Sequence, residues 1–597
     1  MSDRITLPLY QVGWSSEAPL LDKGAGHLLA CKNYVIKQNL LESRDGYFPV
    51  LSFAKPVKTI IPLEEYNMII VASDDDIYVY QKVGGTYTQV ATKSGYSTSE
   101  WRWAYLNHQI IMVNGQDNAQ QIFVTDFGLG TQSVTIQDWS ITGAPSLVFD
   151  WVATLNAQIC AGYGTDMSVW YLPVGYVQTD NNATAKEFDL ADTSGTFKKG
   201  GHIVAGFNIS RDSGMNLNAY IGFLTDQGEA IVYSGNDLDD PTNIAFHGTY
   251  QTGYPLGKTP FINWSGDLII MTNKGFISAH SIFANGENQN AQYIFSQRIN
   301  TWVLDQAAKF GSQHGFMGLV VPNEDMVLFN IPQSGDTFVQ AVMNITSGKW
   351  SQFDGINAYT MCVADGNLLF GMADGVYQYG ASSLDTNFIP LEIWTSYNNC
   401  GADFLKRLNM LQLRHASSDK INISFETYKD FENQSYYTWV DTSGVIESIG
   451  ESGFIWSNYV RVDPSDINDI DPTPGTAQWN LIPNDTVATY ADLVAYDTTG
   501  LTDGFVISVL SDTNHSDEQA YYVWIISGGV GSWVYIGSES DSEYWVGAYG
   551  DMTASADTYS ASGLGHNFSV RMTANVKGIK HQVVDLMLLF NVSKTAI

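Results

Sequence analysis

The chain alternates between short apolar runs and tight polar turns. From about Tyr66 to Gly380 one unit keeps returning: an apolar run, a turn of Asp, Asn or Gly, and a second apolar and aromatic run. The instances are YNMIIVASDDDIYVYQ from Tyr66, LNHQIIMVNGQDNAQQIFV from Leu106, LNAQICAGYGTDMSVWYLP from Leu155 and AYIGFLTDQGEAIVYSG from Ala219. SGDLIIMTNKGFISAHSIF from Ser265, EDMVLFNIPQSGDTFVQAVMN from Glu324 and DGNLLFGMADGVYQYG from Asp365 complete the set. Period-two alternation interrupted by residues that tolerate positive φ predicts β-hairpins. Successive starts lie about 40 to 65 residues apart, close to the blade length of propeller repeats. A four-stranded blade cannot bury both of its faces alone, so neighbouring blades stack around an axis, and ring closure protects the sheet edges. The pattern predicts a β-propeller of six or seven blades over residues 1–385. A series of two-sheet sandwiches is the competing arrangement.

One segment breaks the β pattern. IFSQRINTWVLDQAAKFGSQHGF, from Ile294, places Ile299, Val303, Ala307 and Phe310 near helical spacing, which predicts a short helix between blades. Asp305 and Lys309 form an i, i+4 pair on its outer face. After Gly380 the rhythm changes. RLNMLQLRHASSDKINISFETYKD, from Arg407, reads as a pair of long alternating strands around an SSDK turn, and GHNFSVRMTANVKGIKHQVVDLMLLF, from Gly565, as another. These predict two parts, residues 386–471 and 549–597, of one β-sandwich-like platform domain. SDINDIDPTPG, from Ser465, reads as a linker. Residues 472–548 then read as a small inserted module with its own short helix and strands.

Composition strengthens the all-β reading. Aromatic residues make up 13% of the chain and Gly numbers 54, while charged residues reach only 15%. Tyr, Trp, Phe, Val, Ile and Thr fit half-buried strands, and Gly, Asn, Asp and Ser fit the turns between them. Charge narrows the function. With 62 acidic and 29 basic residues the net charge is −33, and such a surface does not grip phosphate. Sequence-specific DNA binding is not expected on that ground, whereas a surface that nucleic acid slides past is compatible with it. Cys31, Cys160, Cys362 and Cys400 stand far apart with no C-x-x-C pair, which predicts buried free thiols. MSDRITLPLYQVGW has no signal-peptide core, and no apolar run approaches the ~20 residues of a membrane helix.

The search for chemistry returns turns and packing. Asp354, in NITSGKWSQFDGI from Asn344, is the acid a reaction would use beside Trp350. The Ser-x-Asp-x-Gly-x-x-Trp pattern of sialidase blades is absent, and Gly355 with Asp354 reads as a turn. Trp350 and Phe353 then return the chain to the core. The clusters Asp74–Asp76, Asp237–Asp240 and Asp466–Asp471 lack the Gly and closing Glu of an EF-hand and read as solvated turns. His27, His202, His280 and His314 show no zinc spacing. GGVGSW from Gly528 lacks the Lys-Ser/Thr of a phosphate loop and reads as a hairpin turn. Trp101, Trp103 and Trp170 are able to stack on sugars or bases, but their expected role is inter-blade packing. No catalytic, cofactor-binding or metal-ligating residue is assigned.

Several segments in order resemble the tail-nozzle proteins of short-tailed bacteriophages, also called tail tubular or packaged-DNA stabilisation proteins. APLLDKGAGHLLACKNYVIKQNLLESRDGY, from Ala18, is similar to their opening, and AYIGFLTDQGEAIVYSGNDLDDPTNIAFHGTYQTGYPLG, from Ala219, to their mid-propeller blades. VVPNEDMVLFN followed by TSGKWSQFDGINA resembles a late blade, and the strands from Gly565 resemble the platform domain. The resemblance covers about residues 1–465 and 551–597 and implies a non-enzymatic structural protein of the virion tail, made in the host cytoplasm and needing no cofactor. It implies a homo-oligomeric ring, a hexamer, below the portal and adaptor proteins. That ring continues the DNA channel, retains packaged DNA until ejection and anchors fibres or spikes. Double-stranded DNA then passes without sequence-specific contacts, and the host envelope is met indirectly. The inserted module leaves open which surface meets fibres. The alternatives are a propeller-type glycan hydrolase or a lectin-like glycan-binding protein.

Overall fold

A computed structural model describes residues 3–592 apart from 8, 18–25, 127–131, 180–182, 191–197, 213–216, 241, 265, 286–293, 381–387, 401–404, 419–420, 422, 431–455, 458–484, 497–504, 514–517, 528–529, 539–552 and 578. The chain is mostly β-strand and divides into two compact units. One comprises Trp14–Glu17 and Tyr47–Gly380, the other Met1–Gly13, Ala18–Gly46 and Ala381–Ile597.

In the unit of Tyr47–Gly380, the described strands form seven antiparallel meanders in chain order, over residues 57–94, 102–138, 151–189, 203–251, 261–278, 317–354 and 360–379. All seven hairpins expected from the sequence are the second and third strands of these sheets. The fifth sheet has three strands and runs on into the helix Ala279–Asn285. In the seventh, Thr360–Ala364, Asn367–Gly371 and Gly375–Tyr379 are joined by Tyr47–Ser52, brought from the other end of the unit. Turn chemistry sets the registers. Leu106 pairs with Gln109 and Ala364 with Asn367, so these loops hold two residues each. Their φ values are 48° and 64° at Asn107 and His108, and 52° and 71° at Asp365 and Gly366. Positive φ at both central positions is the type I′ turn that matches strand twist.

Packing explains why the apolar runs are continuous. Met68–Ser73 is buried at every position. Ile70 and Ala72 join a core with Ile110, Met112 and Trp101 of the second sheet, whereas Ile69 and Val71 join Cys362, Leu369 and Val376 of the seventh. Gln109–Val113 divides likewise: Ile110 and Met112 face the first sheet, Ile111 and Val113 the third. Cys160 and Val169 of the third sheet share a core with Ile221 and Ile231 of the fourth, whose Leu224 and Val232 turn towards Leu268 and Ile270 of the fifth. Phe276 stacks on Phe329 at 4.0 Å, joining the fifth sheet to the sixth. Asn330 donates from Nδ2 to the Ala358 carbonyl at 2.8 Å, and Phe338 meets Tyr359 at 5.1 Å, joining the sixth to the seventh. The cycle of sheet contacts therefore closes on itself.

The helix expected from Ile294 onward spans Asn300–Phe310, with Val303 and Ala307 buried and Asp305 bound to Lys309 at 2.6 Å on the exposed side. Gln333, after the second strand of the sixth sheet, donates to Gln306 at 2.8 Å. In NITSGKWSQFDGI, Asp354 closes the strand Trp350–Asp354 opposite Val339, and Gly355 follows at φ 88°. Trp350 is 2% exposed and meets Phe329 and Phe295, each at 5.8 Å.

The second unit departs from the expected strand pairing. Lys406–Ser417 and Ile423–Lys429, expected as partners around the SSDK turn, lie in different sheets. The first pairs with Thr553–Gly565 and His581–Val592, the second with Phe568–Val576. Phe568–Val576 and His581–Val592 are separated in the same way. Alternation marks a strand but carries no information on its partner, and each turn here carries the chain from one sheet to the other. The N-terminal segment also belongs here, rather than with Tyr47–Gly380. Asp3–Leu7 pairs with His581–Val592, and His27–Lys32 pairs with Ile389–Thr395. Asp466–Asp471 and the whole linker from Ser465 lie outside the described residues.

Within residues 472–548, Asp485–Thr489, the helix Tyr490–Val494 and Phe505–Asp512 form a strand–helix–strand unit with its strands parallel. Thr489 and Asp492 cap the helix reciprocally, a capping box. Glu518–Ser527 and Val530–Ser538 add a hairpin with Ser527 opposite Val530; of GGVGSW, Val530–Trp533 open the second strand, and residues 528–529 lie outside the described residues. Leu493, Ile507, Val509 and Tyr522 form its buried core.

Two substitutions test this packing. Trp350→Ala is expected to cost about 3–5 kcal/mol in denaturant unfolding, because a large enclosed ring leaves a cavity. Asp354→Asn, at a half-buried strand end, is expected to change stability by less than about 1 kcal/mol.

Candidate functional site

The first strands of the sheets begin with an unusual density of charge. Lys58 opens the first sheet, Glu100 and Arg102 the second, Asp150 the third, Lys258 the fifth and His314 the sixth. Glu100 gathers three of them: Oε1 accepts from Lys58 Nζ at 2.9 Å, while Oε2 lies 3.2 Å from Lys258 Nζ and 3.3 Å from His314 Nδ1. One carboxylate thus ties segments of four sheets. The backbone is fastened beside it, with Thr59 Oγ1 donating to the Ser99 carbonyl at 2.7 Å and accepting from Trp101 N at 2.9 Å.

Burial works to raise the Glu100 pKa, yet His314, Lys58 and Lys258 hold it down at about 2. Burial lowers His314 to about 4 against the pull of Glu100. At neutral pH the imidazole is therefore uncharged, and the two lysines more than offset Glu100; the imidazole adds charge only in acid. Burial also lowers Arg102 to about 10, opposed by Asp150. Arg102 Nη1 donates to the Val204 carbonyl at 2.6 Å, whereas its Nε is buried without a partner.

Arg102 and Lys258 border a cavity of about 340 Å³ among the first strands of the second to fifth sheets. Trp103, 41% exposed, and Trp151, 1% exposed, share the wall. Gly162 stands across from Trp151, and a Cβ there would lie 2.4 Å from the indole nitrogen, so glycine lets the ring lie over the neighbouring strand.

The tryptophans singled out from sequence thus separate. Trp101 is buried in the core between the first and second sheets, Trp170 packs half-buried against the core between the second and third, and Trp103 faces the cavity. Asp74 is a turn residue at φ 54°, and Asp237 and Asp240 accept from the backbone N–H groups of Asp239 and Thr242. All four cysteines are free and buried, and burial pushes Cys362 up to about 12 and Cys400 up to about 11. Among the described residues, no group of three His, Cys, Asp or Glu side chains is placed to hold a metal ion. In the second unit, Tyr34 Oη, His581 and His415 form a buried chain at 2.9 and 3.1 Å that no sequence spacing signals.

The Glu100 cluster has no contiguous sequence signature, because its members are 42 to 214 residues away from Glu100 along the chain. A signal was present: aligned on the repeats, all occupy the entry to a first strand. No protein-family model matches this chain, and no curated protein matches it in sequence.

The pKa directions fix a pH dependence. For Glu100 and His314 the folded value lies below the unfolded one, so the unfolded chain binds more protons and stability falls as pH drops. The window runs from about 6.5 to 4 for His314 and from about 4.5 to 2 for Glu100. Thermal unfolding of His314→Gln is expected to decline less steeply than the parent between pH ~6.5 and ~4. Identical slopes would contradict this.

Proposed function

We propose that Tyr47–Gly380 is a seven-bladed β-propeller, that the second unit is a β-sandwich-like platform, and that the chain is a ring-forming nozzle component of a short phage tail. The propeller reading rests on seven meanders in chain order, a closed cycle of sheet contacts, and a last sheet completed by an N-proximal strand. The observation that carries the nozzle reading is the joining of distant segments. His27–Lys32, inside the stretch that resembles the nozzle opening, pairs with Ile389–Thr395, which pairs with Phe568–Val576 of the stretch that resembles the platform. Both stretches drawn from the two ends of the chain thus serve one unit.

Charge fits the role. A net charge of −33 in each copy, multiplied around a ring, repels a passing duplex and keeps it from adhering during ejection. The inserted module, with its own core and capped helix, is an appendage suited to a fibre or spike contact.

Electron microscopy of the purified protein and of virions tests the reading. Closed rings of about six copies, and density for the protein below the portal, are expected from cyclic homo-oligomer assembly. A stable monomer absent from particles would overturn it.

A further inference from the structure

The cavity at the first strands of the second to fifth sheets has features that the tail reading does not use. We propose that it binds an acidic monosaccharide, with the sugar carboxylate on Arg102 and Lys258 and the sugar ring against Trp103. The proposal does not depend on the tail reading.

The guanidinium is the anchor. Arginine carries five N–H donors. Arg102 gives Nη1 to the Val204 carbonyl and leaves a buried Nε without a partner. Asp150 supports it through space, but its carboxylate is packed where side chains at Gly115 and Gly164 would stand. An enclosed cation with unspent donors gains a charge-assisted hydrogen bond from an entering anion. Lys258, also on the wall, retains 44% side-chain exposure beside Glu100.

Charge count selects a monoanion. Lys58, Arg102 and Lys258 supply three positive charges, and Glu100 and Asp150 two negative ones, which leaves one positive charge at neutral pH. A carboxylate neutralises it, whereas a phosphate dianion overshoots.

The remaining wall selects the body of the ligand. Trp103 is 41% exposed on the first strand of the second sheet, a flat apolar face on which sugar C–H groups pack. Thr154 donates its hydroxyl hydrogen to the Tyr105 carbonyl at 2.8 Å and keeps its oxygen free to accept from a sugar hydroxyl. Tyr105 and Thr259 also line the cavity. A cavity of about 340 Å³ sits at the small end of ligand pockets, suited to one ring rather than a chain.

Titration calorimetry of the full chain with D-glucuronate, D-glucose, benzoate and inorganic phosphate tests the assignment. Glucuronate is expected to bind at least about tenfold more tightly than each of the others, the equivalent of one charge-assisted contact. Arg102→Gln is expected to weaken glucuronate about tenfold or more, and Trp103→Ala about threefold or more with the unfolding temperature retained. Glucose, benzoate or phosphate binding as tightly as glucuronate would overturn the proposal. So would unchanged glucuronate affinity in either variant. Should Arg102→Gln fail to fold, the exposed Trp103→Ala variant and the ligand series decide alone.

Discussion

The inner strands of Tyr47–Gly380 are apolar on both faces, and the rest of that unit follows from it. Ile69 and Val71 point one way, Ile70 and Ala72 the other, and each pair belongs to a different core. A sheet with two apolar faces needs two neighbours, and each neighbour repeats the demand. A row of such sheets ends on a bare apolar face unless it closes. Closure happens where Cys362 and Leu369 of the seventh sheet meet Val57 and Ile69 of the first. Tyr47–Ser52 fastens the join by giving the last sheet its fourth strand. Pro49 is tolerated there because the strand lies at the edge of that sheet, beside a break in register.

Closure also brings the first strands together, and that placement creates the charged cluster. Lys58, Glu100, Lys258 and His314 come from four repeats, yet each lies at or just before a first strand. The carboxylate and the imidazole are tuned by burial, by one another and by the lysines. The same strands leave the cavity beside Arg102, so the features that join the sheets also supply a recess with spare positive charge. Such a recess contrasts with the chain's net charge of −33.

How much was legible in the sequence differs by kind of information. Hairpins were readable because alternation and turn residues are local: Asp74, Gly228 and Asp336 all sit at positive φ in the turns of the expected hairpins. The helix was readable from Ile299, Val303 and Ala307, all buried. Strand partners were not. His581–Val592 takes Lys406–Ser417 and Asp3–Leu7 as neighbours, and nothing in the alternation of any of these strands names the others. The unit expected over residues 1–385 therefore gives up Asp3–Leu7 and His27–Lys32, which pair with strands that follow Gly380. For the site, residue type alone misled. Trp101 and Trp103 look alike in sequence, yet one fills a core and the other faces a cavity. Arg102 gave no signal until the fold placed it in the wall.

The central claim is that two-sided burial makes Tyr47–Gly380 one closed, cooperative body. Native-state hydrogen exchange on the full chain measures this most directly, because cooperative units open with a shared free energy. The account predicts that the core amides of Met68–Ser73, Gln158–Gly162 and Asn367–Gly371 open with the same free energy and the same denaturant dependence, and that strand Tyr47–Ser52 opens no earlier than Gly375–Tyr379. Separate opening free energies for the first and seventh sheets, with the intervening sheets still protected, would contradict it.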